Sequence, residues 1–295
     1  MIQALSWSKS CRFWWMGVRP KTLPLSICPV LLGSLLASRE VGHFHLILML
    51  SAIFSAVLVQ AGTNLVNDGM DFLKGTDTPA RLGPPRISTM GIVPPAQVFR
   101  AGVWLLGLAG FVAIPLIVVG GWPILLFMVA SLFAGYGYTA GPYPIAYIGG
   151  AELFVLAGFG WGAVAVPFFV QTGVIHPDVL LVGTEFGLLA TLPLSLNNLR
   201  DIEEDRHAHK RTLAVRWGHR FAKCEIAALL IMSWLLGFYW SWRHTPSRVW
   251  TLVLFLPLIF WMIAQLRHPK KIPSLFLTSL ILYILFFLDI ISQIL

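Results

Sequence analysis

The sequence predicts an all-α, polytopic membrane protein with about nine transmembrane helices. Hydrophobic residues make up 57% of the 295-residue chain, and charged residues make up only 12%. Apolar runs of about 20 residues, the length that crosses a hydrocarbon core about 30 Å thick, recur along nearly the whole chain. These runs leave no room for a separate water-soluble domain, so residues 1–295 are predicted to form a single transmembrane domain.

The predicted spans follow the apolar runs in order. They cover residues 23–39, 43–66, 97–119, 122–139, 148–171, 179–198, 221–242, 248–266 and 273–293. Before them, residues 1–22 combine aromatic and basic side chains, a composition typical of a segment that lies at the membrane interface. Residues 67–96 and 199–220 are predicted to be polar loops on one side of the membrane.

The basic residues set the predicted orientation. With the N-terminus in the cytoplasm, only Arg39, Arg243 and Arg248 of the 21 lysines and arginines fall on the far side. We therefore expect an integral protein of a bacterial-type cytoplasmic (inner) membrane, with its C-terminus on the opposite side. The formal charge of +8 is assigned to the inner membrane face and to an anionic substrate. It does not require nucleic acid, and no obligate protein partner is indicated.

The polar stretch after the second span gathers acids in a chain where acids are scarce. Asn67 and Asp71 are four residues apart, so they share one face of a helix that continues out of the membrane. Asp68 lies one position round that helix. A continued helix would carry Asp77 away from this face, but Gly75 can end the helix in a left-handed cap and let the chain fold back. The stretch is interpreted as a structured cap over an anion.

A second polar stretch follows the sixth span and repeats this arrangement. Asn197, Asp201 and Asp205 are spaced at i, i+4 and i+8, so one helical face presents an amide and two carboxylates. Asn198 precedes Asp201 by three residues, and a basic segment that includes Lys210 follows. Each stretch therefore places an asparagine and two aspartates before a basic loop at the predicted cytoplasmic surface.

Other polar or aromatic residues near the spans are more ambiguous. Residues 135–144 contain three tyrosines, including Tyr136 and Tyr138, at a predicted membrane edge. An aromatic belt explains each of them about as well as a substrate-lining role does. Glu152 is interpreted as an interfacial acid paired with a nearby base. Glu185 lies inside a span, where burial of a charge is costly, so we expect it to face a polar cavity.

The two acidic clusters indicate a metal and a diphosphate. Carboxylate and amide oxygens suit Mg²⁺, which uses one or two carboxylates and completes its octahedron with water and phosphate oxygens. A diphosphate between the clusters would have its charge neutralised and become a good leaving group. A hydrocarbon attached to it would extend into the lipid bilayer. One alternative is a pair of solvated loops with ion pairs. Another alternative is a secondary transporter. A transporter should have its acidic residues near the membrane midplane, whereas the acidic clusters of this sequence lie at one membrane face.

The motifs resemble those of a known family. NDGMDFLKGTD at 67–77 and NNLRDIEEDRHAHKRTL at 197–213 resemble the two aspartate-rich motifs of the UbiA superfamily of intramembrane aromatic prenyltransferases. Within the superfamily, RPKTLP at 19–24, ARLGPPR at 80–86 and KRTLAVRWG at 210–218 resemble the branch that acts on 1,4-dihydroxy-2-naphthoate. The resemblance implies a UbiA-type helical bundle with a cytoplasmic-side active site. A UbiA-type enzyme for another acceptor, such as 4-hydroxybenzoate, remains an alternative.

The resemblance also implies roles for individual residues. A polyprenyl group would pass from polyprenyl diphosphate to 1,4-dihydroxy-2-naphthoate, with loss of carbon dioxide and diphosphate, to give a demethylmenaquinol. The expected ligands of Mg²⁺ and the diphosphate are Asn67, Asp71, Asp77, Asp201 and Asp205. The expected supporting and diphosphate-binding residues are Asn64, Asp68, Asn198, Arg19, Arg81, Lys210 and Arg211. Tyr136 or Tyr138 would stabilise the allylic cation through its ring face.

Overall fold

The fold is known from a computed structural model that describes residues 7–76, 83 and 85–295, with side chains from residue 12 onward. Throughout this part of the chain the regular structure is helical. The helices are α1 (Trp7–Val18), α2 (Pro24–Val41), α3 (Leu46–Leu73), α4 (Pro95–Val112), α5 (Ile114–Gly137), α6 (Ala151–Val155), α7 (Ala163–Thr172), α8 (Pro177–Arg200), α9 (Ile202–His207), α10 (Leu213–His244), α11 (Val249–Val253), α12 (Leu256–Gln265) and α13 (Ile272–Ile294).

The described residues form nine helical stretches that are long and apolar enough to cross a membrane, as the sequence predicts. They are Pro24–Val41, Leu46–Leu73, Pro95–Val112, Ile114–Gly137, Ala151–Thr172, Pro177–Arg200, Leu213–His244, Pro246–Gln265 and Pro269–Ile294. The chain is therefore an integral membrane protein of the predicted all-α class.

The third and fourth spans meet at a different place from the one that the sequence predicts. Helix α4 ends at Val112, because Pro115 has no N–H group to continue the helical hydrogen bonds. The sequence instead predicts a turn at residues 120–121. Gly121 there is the one non-helical residue inside α5, with φ 69° and ψ −155°, a conformation open to glycine. The predicted break is thus present as a sharp kink within α5.

Helix α8 occupies the centre of the bundle. Its apolar side chains, among them Leu189 and Leu192, join a core with Leu230 of α10 and Phe286 of α13, and all four are fully buried. A second core joins α2, α3, α4, α5 and α7. Because α8 is enclosed along its length, the polar residues at its end are held on a rigid element.

Glycines permit a close approach between α8 and the span made by α6 and α7. Residues Leu156–Gly162 between α6 and α7 are π-helical. A Cβ atom at Gly160 would lie 2.3 Å from the carbonyl oxygen of Gly183 and 2.7 Å from the Cα of Gly187. The small residues therefore allow the two backbones to touch, which is typical of helix contacts in membranes.

The N-terminal helix α1 packs against the bundle. Phe13 is 5% exposed and lies in a small apolar cluster with Leu65, Ile87 and Val98, whereas Trp15 is 60% exposed. One face of α1 is therefore fixed to α3 and α4, and the chain that leaves it leads directly to the polar end of the bundle.

Candidate active site

Six helix ends meet at one end of the bundle: the start of α2, α6 and α10 and the end of α3, α5 and α8. They surround a polar pocket with about 710 Å³ of open space. Its lining residues are Arg19, Asn67, Asp71, Thr76, Arg86, Tyr138, Ala146, Ala151, Leu194, Asn197, Asn198, Asp201, Glu204, Asp205, Lys210 and Thr212. Both acidic motifs thus contribute to a single pocket.

Asp71 is the most enclosed acid of the pocket, at 1% exposure. Its Oδ2 accepts hydrogen bonds from the Asn67 side-chain amide at 3.0 Å and from Lys210 Nζ at 3.1 Å. Its Oδ1 accepts a hydrogen bond from the Tyr147 hydroxyl at 2.9 Å. The predicted pairing of Asn67 and Asp71 on one helical face is confirmed, and three donors fix the carboxylate.

The end of α3 has the predicted glycine cap. Gly75 has φ 74°, the amide of Thr76 bonds to the Asp71 carbonyl at 2.8 Å, and the amide of Gly75 bonds to the Phe72 carbonyl at 3.0 Å. This is the Schellman arrangement, which reverses the chain at a helix end. Asp77 and Arg81, both expected to bind metal or diphosphate, lie outside the described residues.

The second acidic motif reaches the pocket from α8 and α9. Asp201, at the junction of the two helices, forms a two-point ion pair with Arg200 at 2.5 and 2.6 Å. Lys210 Nζ lies 3.9 Å from Asp205 as well as 3.1 Å from Asp71. One ammonium group therefore links the two motifs across the pocket.

Arg19 approaches the pocket from the turn between α1 and α2. Its φ of 59° and ψ of 62° are in the left-handed region, which is uncommon for a residue with a side chain. Its guanidinium donates a 3.0 Å hydrogen bond to the Asn67 side-chain oxygen. The strained backbone at this position thus serves to aim a fixed cation at the first motif.

A polar network extends from Arg19 into the membrane part of the bundle. The Thr22 hydroxyl donates to the Arg19 carbonyl at 2.9 Å, and the Gln60 amide donates to the Thr22 carbonyl at 3.0 Å. The Ser26 hydroxyl in turn donates to the Gln60 oxygen at 2.6 Å. The turn that carries Arg19 is therefore held from within the bundle.

The structure separates the two candidate tyrosines. Tyr138 lines the pocket, and its ring centroid lies 5.3 Å from that of Phe154. Burial, together with the charges of Glu152, Asp71 and Asp205, raises the pKa of Tyr138, so its hydroxyl stays protonated. Tyr136 is 39% exposed and packs beside Phe99. Tyr138 still has helical backbone angles, so two helical steps of about 100° turn the side chains of Tyr136 and Tyr138 in nearly opposite directions. An edge position therefore fits Tyr136 better than a catalytic role.

Three other expected binding residues do not line the pocket. The Asn64 amide donates to the Val18 carbonyl at 3.1 Å. The Asp68 carboxylate accepts the backbone N–H groups of Ile87 and Ser88 at 3.1 and 3.0 Å. The Arg211 side chain is exposed. For these residues the structure favours structural roles: Asn64 satisfies a half-buried carbonyl, Asp68 satisfies two buried backbone N–H groups, and Arg211 faces outward.

Tyr147 is the main site residue that sequence reasoning missed. Its hydroxyl bonds to Asp71 and, at 2.7 Å, to the hydroxyl of Thr76. Its ring lies 4.6 Å from Lys74 Nζ and 5.0 Å from Lys210 Nζ. Partial burial lowers the pKa of Lys74, Asp71 opposes this shift, and Lys210 adds to it. Tyr147 ends a single 3₁₀ turn, Ile145–Tyr147, which is too short to give a periodic signal. In the sequence, only the high number of tyrosines just before it indicated a lining role.

The donor set fits a magnesium diphosphate better than a metal held by the protein alone. Within the described part of the chain, no three His, Cys, Asp or Glu side chains converge as a complete metal site. Carboxylates from two helices instead face a pocket that also contains Arg19, Arg86 and Lys210. Mg²⁺ usually takes one or two carboxylates and obtains its other ligands from water and phosphate.

A second, apolar cavity adjoins the polar pocket deeper in the bundle. It has about 800 Å³ of open space. Its lining includes Val30, Ile124, Phe127, Met128, Val166 and Phe154, with Ser26 and Gln60 of the polar network in its wall. Tyr138 and Phe154, whose rings are in contact, therefore lie where the two cavities meet.

The two glutamates inside the spans have surroundings that the sequence did not predict. The partner of Glu152 is an amide: its Oε1 accepts a 2.7 Å hydrogen bond from Asn198. Glu185 is fully buried, and a Cβ atom at Gly237 would lie 2.8 Å from its Oε1. Glu185 lines neither of the two cavities.

Comparison with known proteins adds independent findings. The model of the UbiA prenyltransferase family matches residues 26–288. The 1,4-dihydroxy-2-naphthoate octaprenyltransferase of Escherichia coli is 34% identical over 252 residues, which cover 78% of this chain and 79% of that protein. The Bacillus subtilis protein of the same name is 33% identical over 82% of this chain and 77% of its own.

More distant relatives also match over most of the chain. The human UbiA prenyltransferase domain-containing protein 1 is 30% identical over 91% of this chain and 80% of its own. A UbiA homolog from Archaeoglobus fulgidus, solved with DMAPP and Mg²⁺ bound, superposes with a TM-score of 0.63. That alignment covers 92% of this chain and 98% of the archaeal one at 15% identity, and it supports the fold alone.

Proposed function

The chain belongs to the UbiA prenyltransferase family, and we propose that it transfers a polyprenyl group from an all-trans-polyprenyl diphosphate to 1,4-dihydroxy-2-naphthoate. The products are a demethylmenaquinol, carbon dioxide and diphosphate, so the step belongs to menaquinone biosynthesis. The observation that carries the proposal is the junction of a pocket lined by both acidic motifs with a large apolar cavity. The acceptor is inferred from the bacterial relatives, which carry the name of this activity.

The polar pocket is suited to the diphosphate and Mg²⁺. We assign Asn67, Asp71, Asp201 and Asp205 to the magnesium-bound diphosphate, and Asp77 on the resemblance of its motif. Bound Mg²⁺ would neutralise charge on the diphosphate and so make it a better leaving group. The protein's own cations do the same from fixed positions, because Arg19 and Lys210 are held by Asn67 and Asp71.

The apolar cavity is suited to the prenyl chain. A diphosphate in the polar pocket would place its first allylic carbon at the junction, beside Tyr138 and Phe154. When the carbon–oxygen bond breaks, the positive charge on that carbon faces aromatic rings, which stabilise a cation by about 0.5–2 kcal/mol. Tyr138 supplies its ring face and remains a neutral phenol.

The site is assigned to the cytoplasmic side of the inner membrane. Lys74 and Lys210 lie at the same end of the bundle as the pocket, whereas Arg39, Arg243 and Arg248 lie at the other end. This distribution follows the excess of basic residues on the cytoplasmic side of membrane proteins. In the proposed orientation the N-terminus is in the cytoplasm and the C-terminus is on the opposite side. A site on the cytoplasmic side would also be accessible to a water-soluble aromatic acid.

The test is prenyl transfer by the purified protein in detergent. Farnesyl diphosphate or a longer homologue and 1,4-dihydroxy-2-naphthoate are supplied with Mg²⁺ or with a chelator in excess. We expect a decarboxylated prenyl-naphthoquinol that requires Mg²⁺. Product with 4-hydroxybenzoate but none with the naphthoate would keep the mechanism and overturn the acceptor. Transport of a labelled solute without consumption of prenyl diphosphate would overturn the enzyme assignment.

A further inference from the structure

We propose that Glu152 binds a hydroxyl group of the aromatic acceptor and holds its proton while the new carbon–carbon bond forms. The proposal rests on the proposed prenyl transfer and adds to it the residue that receives the acceptor. Glu152 belongs to neither acidic motif, and its carboxylate makes no ion pair with a basic side chain among the described residues.

The position of Glu152 places it at the junction of the two cavities. Ala151, the residue before it, lines the polar pocket, and Phe154, two residues after it, lines the apolar cavity. Tyr138 contacts Phe154 and also lines the polar pocket. An acceptor that attacks the allylic carbon must enter this same junction, so Glu152 lies beside its path.

The two oxygens of the Glu152 carboxylate have different surroundings. Oε1 accepts the 2.7 Å hydrogen bond from the side-chain amide of Asn198, which itself lines the polar pocket. Oε2 is buried and has no hydrogen-bond partner within the described protein. A buried carboxylate oxygen without a donor is costly, so this position favours a ligand that brings an O–H group. Asn198 fixes the carboxylate, and Oε2 is left to receive that group.

The groups around Glu152 favour proton acceptance. Glu225 of α10 interacts with it electrostatically and accepts a 3.0 Å hydrogen bond from Ser195 of α8. Tyr138 faces it from the loop after α5. Neither neighbour brings a positive charge to Glu152, so burial of Oε2 without a donor is not compensated and remains costly. An acceptor hydroxyl relieves this cost by sharing its proton.

Glu152 takes a proton from the acceptor hydroxyl and later returns it, so the residue is unchanged after each reaction cycle. As the allylic carbon–oxygen bond breaks, its electron pair leaves with the diphosphate, and a ring carbon forms the new carbon–carbon bond. The adjacent hydroxyl gives its proton to Glu152 and becomes a carbonyl. If the attacking carbon bears the carboxylate, the product of this step is a β-keto acid anion, which loses carbon dioxide to leave an enolate. Loss of carbon dioxide restores the aromatic ring, so this enolate is a naphtholate, and Glu152 then returns the proton to its oxygen.

The decisive variant is Glu152→Gln, which keeps the shape and the bond from Asn198 but places an N–H donor where Oε2 was. We expect kcat with 1,4-dihydroxy-2-naphthoate to fall at least about 100-fold, the usual contribution of a positioned base. Mg²⁺-dependent binding of a non-reactive farnesyl thiodiphosphate should stay within about twofold of the wild type, because neither motif is altered. Glu40→Gln, at the far end of the bundle, is the matched control and should keep full activity.

Two further measurements separate this role from a structural one. Glu152→Asp should recover part of the lost rate, because a carboxylate returns. Replacing the acceptor hydroxyl by a methyl ether should slow the wild type strongly and Glu152→Gln little, since the variant has already lost that interaction. Near wild-type turnover by Glu152→Gln, or an equal loss of farnesyl thiodiphosphate binding, would overturn the proposal. A wild type that prenylates only 4-hydroxybenzoate would refute the proposed acceptor, and the same variants would then test Glu152 with that phenol.

Discussion

Replacing Asp71 by Asn should remove nearly all prenyl transfer while leaving the pocket assembled. The Asn67 amide and Lys210 can still donate to the remaining oxygen of an amide at position 71. The new N–H group would face the Tyr147 hydroxyl, which can accept it because Tyr147 can turn its own proton to the Thr76 hydroxyl, 2.7 Å away. The exchange therefore keeps the shape and the hydrogen-bond network and removes one negative charge.

The size of the effect follows from the burial of Asp71, which is 1% exposed. At an effective dielectric constant of about 20, two unit charges about 4 Å apart interact by about 4 kcal/mol. A divalent ion interacts more strongly, and part of that gain is offset by reordering of water and neighbouring cations. A loss of about 4 kcal/mol in transition-state stabilisation corresponds to a fall in kcat/KM of about a thousandfold.

The assay is Mg²⁺-dependent formation of prenyl-naphthoquinol by purified variants, with size-exclusion behaviour in detergent as the measure of folding. Asp178→Asn is the matched control, because this acid lies at the other end of the bundle beside Arg243 and His244. It should retain full activity. If Asp71→Asn kept more than about a tenth of wild-type turnover, a loss below about 1.4 kcal/mol, the assignment of this carboxylate to the magnesium diphosphate would be refuted.

Three further substitutions test neighbouring parts of the site. Tyr147→Phe loses the hydroxyl bond to Asp71 but keeps the ring near Lys210, so kcat/KM should fall about tenfold; an unchanged value would show that Asp71 needs no such support. Asp68→Asn leaves one backbone N–H without an acceptor and should lower the thermal midpoint more than it raises the KM for Mg²⁺; the reverse pattern would restore the expected ligand-supporting role. Tyr138→Leu should slow transfer more than Tyr138→Phe, because only the second keeps the aromatic face, and Tyr136→Leu should be nearly silent in the same transfer assay.

Helical spacing was sufficient to predict the parts of the site that lie on continuous helices. Asn67 and Asp71 share a face because α3 runs without interruption to Leu73, and the cap at Gly75 followed from the special backbone freedom of glycine. Asn197, Asp201 and Asp205 reach the same pocket, although the chain bends at Asp201 between α8 and α9. Here the hydrogen bonds of the helix continue across the bend.

Sequence reasoning failed where tertiary contacts decide the direction of a side chain. Asp68 lies one position from the helical face that carries Asn67 and Asp71, but its carboxylate accepts the backbone N–H of Ile87 instead. This contact joins distant parts of the sequence, so helical spacing does not predict it. Tyr147 reaches Asp71 from a loop with no periodic pattern. Membrane composition also hides the exact ends of spans, because the apolar residues on either side of Ala113 continue without a change in polarity.

The hydrogen-bonded path from Ser26 through Gln60 and Thr22 to Arg19 divides the wall of the apolar cavity into two kinds of surface. Substitutions on the side formed by Ser26 and Gln60 would release the turn that aims Arg19, so a redesign for longer or shorter chains there would also weaken the hold on the diphosphate. The apolar lining residues Phe127 and Val166 have no such hydrogen-bonded link to Arg19 within the described part of the chain. Substitutions that change the preferred chain length should therefore be tolerated better at Phe127 and Val166 than at Ser26 and Gln60.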